Sequence, residues 1–212
     1  MNKILLILII ISSCSLVYSQ RQINEIPMYG GKHNPDVKEN ISESDSAAKR
    51  GWNYYYNGNF DVAIKRFNQA WMFNRKSVDA FWGFGLIMGK RAMQEDPENN
   101  LKESIKFLII ADSLSPKNAR IMTDLAFSKT LLGYFQKESK IQGYQSKFND
   151  AEAIFQNAAK IDSTYPVLYG NWSVLEYYRG NIKEAIAKLD KAKKLGYQPE
   201  SGYEEELQLK LQ

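Results

Sequence analysis

Cysteine and histidine are almost missing from this chain of 212 residues; each occurs once, as Cys14 and His33. A single cysteine builds no disulfide framework, and a single imidazole builds neither a paired-histidine zinc site nor a Ser-His-acid arrangement within the helical region. A phosphate loop is missing as well. Gly30-Gly31-Lys32 lacks the upstream glycine and the following Ser or Thr of a Walker motif, and no helical pattern follows it. It reads as a turn, and His33 beside it as an exposed loop residue. Charge of one sign is scarce too: 28 basic against 24 acidic side chains leave +4, evenly interspersed, which argues against a nucleic-acid partner. The acid pair Glu95-Asp96 and the run Glu204-Glu205-Glu206 fall in an insertion and at the chain end, where solvated charge is the plain reading. No residue set supports catalysis, a metal or a cofactor, so the expectation is a protein that is not an enzyme.

Long hydrophobic runs are limited to one. Lys3 is followed by eight apolar residues, 4–11, and then by Ser12 and Ser13. A short positive start, a short apolar run and small residues form the layout of a secretory signal, and the run is too short to span a membrane. Two processing sites compete. Val17-Tyr18-Ser19 places cleavable residues before Gln20, while Ile11-Ser12-Ser13-Cys14 resembles a lipobox that would lipidate Cys14. Cleavage after Ser19 is favoured, because Ser15-Leu16-Val17-Tyr18 is a more apolar start than the polar tether usual after a lipidated cysteine. The expected location is outside the cytoplasm: periplasm, cell envelope or secreted, with a membrane attachment only through Cys14.

What is present is core. Hydrophobic residues make up 44% of the chain, enough to bury a substantial interior. Residues 20–43 contain Pro27, Gly30-Gly31 and Asn34-Pro35 without helical period, and read as a flexible, largely extended arm. Order is expected from Ser44, where Ser42-Glu43-Ser44-Asp45 supplies capping side chains ahead of Ala47, Ala48 and Gly51 at helical spacing.

Internal similarity then organises the rest. Gly51, Tyr54, Gly58, Ala63, Phe67 and Ala70 follow one another at spacings of three to five residues. Small Gly51 and Ala63 would let two antiparallel helices approach, Tyr54 and Phe67 would fill the space between them, and Asn57-Gly58-Asn59 would make the turn. In these residues the chain resembles the tetratricopeptide-repeat (TPR) family, whose repeat is about 34 residues long. A second unit carries Phe81, Phe84, Gly85 and Met88, then Ser104, Leu108 and Ala111, with residues 94–100 inserted at its turn. A third runs from Met122, Leu125 and Ala126 to Ala151, Phe155 and Ala158, with extra residues around 137–149 that would prolong both helices. A fourth has Tyr169, Trp172 and Ser173, then Gly180-Asn181, Ala185, Leu189 and Ala192. The expected units are 44–77, 78–118, 119–165 and 166–198, followed by a charged cap over 199–212.

The resemblance implies an all-α right-handed superhelix, an α-solenoid of about four TPR helix pairs plus a C-terminal capping helix. It also implies a concave groove lined by first-helix side chains. Projecting the repeat places Trp52, Tyr55 and Tyr56, then Trp82, Leu86 and Lys90, then Thr123, Phe127 and Thr130, then Val174, Tyr177 and Tyr178 there. Aromatic residues give large contact area at modest entropy cost, so such a groove is suited to anchoring a protein or peptide partner. Trp52 stands where the first asparagine of a chaperone-tail carboxylate clamp would be, which argues against that partner class. The function expected is an exported adaptor or assembly factor. Capture of a glycan or small ligand on the same aromatic residues, and a self-assembling structural spacer, stand as alternatives.

Overall fold

The computed structural model describes residues 21–31 and 37–211, so the signal segment, Cys14, Lys32 and His33 lie outside the described residues. The described residues contain nine α-helices and no strand. They form two compact units, one ending at Pro116 and one beginning at Lys117. Among the described residues no helix is long and apolar enough to cross a membrane.

The N-terminal unit holds α1 (Ile41–Tyr56), α2 (Phe60–Phe73), α3 (Val78–Ala92) and α4 (Pro97–Leu114). Each start has its own cap. Asn40, Asn59, Ser77 and Asp96 accept hydrogen bonds from the backbone N–H groups of Glu43, Val62, Ala80 and Asn99, which satisfies donors that a helix start leaves free. Short turns return the chain, so α1 packs on α2 and α3 on α4, and α2 and α1 also meet α3. The interior is Ile64, Phe67, Phe84, Ile87 and Leu108, all fully buried, with Ala63, Ala70, Ala80 and Ala111 at the close approaches. Burying side chains of this size contributes about 1.5–3 kcal/mol each.

The first helix starts at Ile41, ahead of the expected Ser44, because Asn40 is the residue that caps. Ser44 instead turns inward and donates its hydroxyl to the Ala70 carbonyl at 2.9 Å. The insertion at 94–100 is only partly a turn: Pro97 takes the first helical position and residues 97–100 belong to α4.

Residues 21–31, expected as part of an extended arm, dock on α2. Two turns, Ile23–Glu25 and Pro27–Gly31, contact that helix. Buried Asn68, in α2, donates through Nδ2 to the carbonyls of Asn24 and Ile26, both at 2.9 Å. Pro27 is buried, Lys65 pairs with Glu25 at 3.0 Å, Arg21 pairs with Glu95, and Tyr29 lies against Trp71. Met28, Tyr29 and Gly30 all take left-handed backbone angles, which coil the chain tightly enough to stay on the helix.

The C-terminal unit holds α5 (Ala119–Glu138), α6 (Tyr144–Ile161), α7 (Pro166–Arg179), α8 (Ile182–Lys194) and α9 (Tyr203–Leu211). The extra residues prolong α5 and α6, with the turn confined to 139–143. Ile121, Phe155, Leu168, Leu175, Leu189 and Leu207 are its fully buried large side chains among the described residues. The cap α9 is shorter than the expected 199–212 and lays Leu207 against Ala185 and Leu189 of α8. Gly180, at φ 87°, ends α7; Asn181 then bonds back to Glu176 at 2.8 Å, unlike Asn59, whose side chain caps α2.

Candidate functional site: the first-helix face

In the N-terminal unit the first helices α1 and α3 place four aromatic rings together. Trp52 lies at the centre, with ring centroids 5.0 Å from Trp82, 5.8 Å from Tyr55 and 5.9 Å from Tyr56. Its underside meets buried Phe67 at 5.0 Å. The indole N–H donates to Asp79 Oδ1 at 2.7 Å, which fixes the ring across the two helices. Edge-to-face pairs of this kind add about 0.5–1.5 kcal/mol beyond burial. Trp52, Tyr55, Trp82 and Leu86 are half-buried, whereas Tyr56 is 78% exposed and Lys90 is exposed.

Where the α1–α2 turn meets the end of α3, a cleft of about 410 Å³ opens, lined by Asn57, Asn59, Asp61, Lys90, Arg91 and Gln94, together with Arg21. Arg91 is 5% exposed. Burial and then the nearby Arg21 push its pKa below the ordinary arginine value, against the opposing pull of Asp61, Glu95 and Glu25. Sequence reasoning reached Lys90 and missed Arg91, Asn57, Asn59, Gln94 and Arg21. The adjacent pair Lys90-Arg91 ending a first helix was the available signal; Arg21 had none, since only the docking of the N-terminal segment brings it there.

The C-terminal unit treats its projected residues differently. Thr123 and Thr130, placed in the groove by the repeat projection, are fully buried and donate to the carbonyls of Ala119 and Ala126. Phe127 is half-buried against the core, and Val174 is half-buried. Tyr178 stacks on Tyr134 with centroids 3.9 Å apart, and Lys137 Nζ donates to the Tyr178 carbonyl at 2.8 Å. Tyr177 donates its hydroxyl to Glu206 of the cap and packs against Tyr203. Burial is the main cause that raises the pKa of Tyr177, Tyr178 and Tyr203, with Glu206 adding to it at Tyr177. A smaller cleft of about 150 Å³ near Tyr178 includes Arg179, already bonded to Glu152 at 2.7 Å and Asn149 at 3.0 Å. Of the projected groove residues, then, those of α1 and α3 are half-buried or exposed, and Tyr177 and Tyr178 of α7 are engaged by α9 and α5. Among the described residues no group of His, Cys, Asp and Glu is placed to hold a metal ion.

Helix pairs with small residues at their contacts, an Asn-Gly turn between α1 and α2 and a closing helix define an α-solenoid of TPR type. The chain is similar in structure to a thermophilic TPR protein of Thermus thermophilus, with a TM-score of 0.61 and 18% identity over 72% of this chain and 74% of that one. At that identity the likeness establishes the fold alone. No protein-family model matches the sequence, and no curated protein matches it.

Proposed function

We propose that this chain is a protein-binding module that holds a peptide or protein segment on the α1 and α3 face. The observation that carries the reading is the Trp52-centred cluster, which keeps Tyr56 78% exposed while its neighbours are locked by ring contacts and the bond to Asp79. A rigid aromatic surface loses little entropy when it is covered, which is what a binding anchor requires. The finer reading, an exported adaptor or assembly factor acting in the cell envelope, rests on the sequence of residues 1–19 and on this surface.

The test compares the full chain with a Tyr56→Ala/Leu86→Lys variant and with Lys102→Ala, an exposed control on α4, as baits for partner capture. A protein held by wild type and control and lost from the double variant is the expected result. Equal retention by all three would move the interface elsewhere, and a tryptophan-fluorescence response to soluble oligosaccharides with no captured protein would replace this reading with glycan capture.

A further inference from the structure

The cleft at the end of α3 contains a cation whose bonding is incomplete. Arg91 is 5% exposed, and its Nη2 has no hydrogen-bond partner. Asp61 Oδ1, at 3.9 Å, is beyond hydrogen-bond reach and belongs to a side chain that is 75% exposed; the contact to Met88 Sδ, also 3.9 Å, is a weak one. A buried guanidinium gains most from a charge-assisted bond to an anion, and a carboxylate matches its planar fork. Arg21, already paired with Glu95, and Lys90 line the same cleft, and Lys90 is exposed. Asn57, Asn59 and Gln94 add neutral side chains that can donate hydrogen bonds.

The cleft is also continuous in sequence with the aromatic face. Trp82, Leu86 and Lys90 recur at four-residue spacing along α3, so one face changes from aromatic to aliphatic to cationic over about 12 Å. We propose that this cleft binds a carboxylate of the partner, an acidic peptide side chain that follows apolar residues lying on Trp82 and Leu86. The proposal rests on the protein-binding reading and specifies the chemistry of the segment bound. Lys90 and Arg91 close α3, away from the Trp52 position where a chaperone-tail clamp would require asparagine. Asp61, mostly exposed, is free to turn towards solvent as the ligand carboxylate replaces it beside Arg91.

The test uses the full chain, labelled for amide NMR, and three probes: acetyl-Leu-Trp-Leu-Glu-Glu-amide, the same peptide with Gln for both Glu, and inorganic phosphate. The Glu peptide is expected to shift the amides of Asn57, Gly58, Asn59 and Gln94 and to bind at least about tenfold more tightly than the Gln peptide at low salt. Lys90→Gln, on an exposed side chain, should reduce that preference severalfold, and Arg91→Gln should abolish it; should Arg91→Gln fail to fold, Lys90→Gln still decides. Equal binding of the two peptides overturns the proposal, and if Trp82 and Leu86 shift with both, the protein-binding reading survives it. Phosphate shifting the cleft amides while the Glu peptide does not would also overturn it, in favour of a free-anion site. No shift by any probe overturns it too, and leaves the protein-binding reading to the capture comparison.

Discussion

Phe67 and Gly83 touch so closely that a Cβ on the glycine would lie 2.4 Å from ring atom Cε2, and the opposite side of the same ring is met by Gly51, where a Cβ would fall 2.7 Å from Cε1. The ring is fully buried between α1 and α3. Gly83→Ala gains helix propensity of about 1 kcal/mol but forces this ring to move, an overpacking cost of about 1–3 kcal/mol, so a net loss of stability is expected. Gly89→Ala is the control: its Cβ would sit 3.5 Å from Ser104 Oγ, an ordinary contact, and the variant should be more stable by up to about 1 kcal/mol. Urea unfolding midpoints that rise for both variants would show that the Phe67 packing is not this tight.

Asn68 holds the N-terminal segment through two carbonyl bonds. Asn68→Ala is expected to cost about 1–3 kcal/mol and to expose residues 21–31 to limited proteolysis while α1 to α4 stay protected. Cleavage patterns indistinguishable from wild type would mean that Pro27 and the Tyr29–Trp71 contact hold the segment without Asn68.

The same segment should respond to acid. The hydrogen bond from Lys65 holds the Glu25 carboxyl below its ordinary 4.5. A depressed folded-state value means the contribution is complete above pH 4.5 and is lost as pH falls through the lower folded value. Amide exchange over residues 23–31 should therefore quicken as pH drops below about 4.5, after correction for intrinsic rates, and Glu25→Gln should remove that response.

Leu207 is the one buried residue of the closing helix. Leu207 is 1% exposed, among Ala185 and Leu189. Leu207→Ala should cost about 2–5 kcal/mol, whereas Tyr177→Phe, which removes only the hydroxyl bonded to Glu206, should cost about 0.5–1.5 kcal/mol. Thermal melts showing the larger loss for Tyr177→Phe would make the polar contact the main attachment of α9.

The repeat was legible because its packing residues are small or aromatic at fixed spacing. Gly51, Ala63, Phe67, Ala151, Phe155, Ala185 and Leu189 are buried where the spacing put them. The groove was less legible. A repeat projection assigns a direction to each first-helix side chain, but it cannot know what else covers that face. Tyr177 was claimed by a cap helix beyond the last repeat, and Tyr178 by the prolonged end of α5. The N-terminal segment was hidden for the opposite reason: Pro and Gly in residues 20–43 deny it a helical period, yet a tightly coiled turn without period can still offer two carbonyls to Asn68 Nδ2.

The sequence by itself determined the helix pairs, their turns and the residues at their contacts, since periodicity and side-chain size are local properties carried by each repeat. Tertiary structure alone decided which aromatics remain available, that the N-terminal segment lies on α2, and that Arg21, Lys90 and Arg91 share one cleft with the α1–α2 turn. These depend on contacts between residues far apart in the chain, where burial and the satisfaction of polar groups, rather than local spacing, set the outcome.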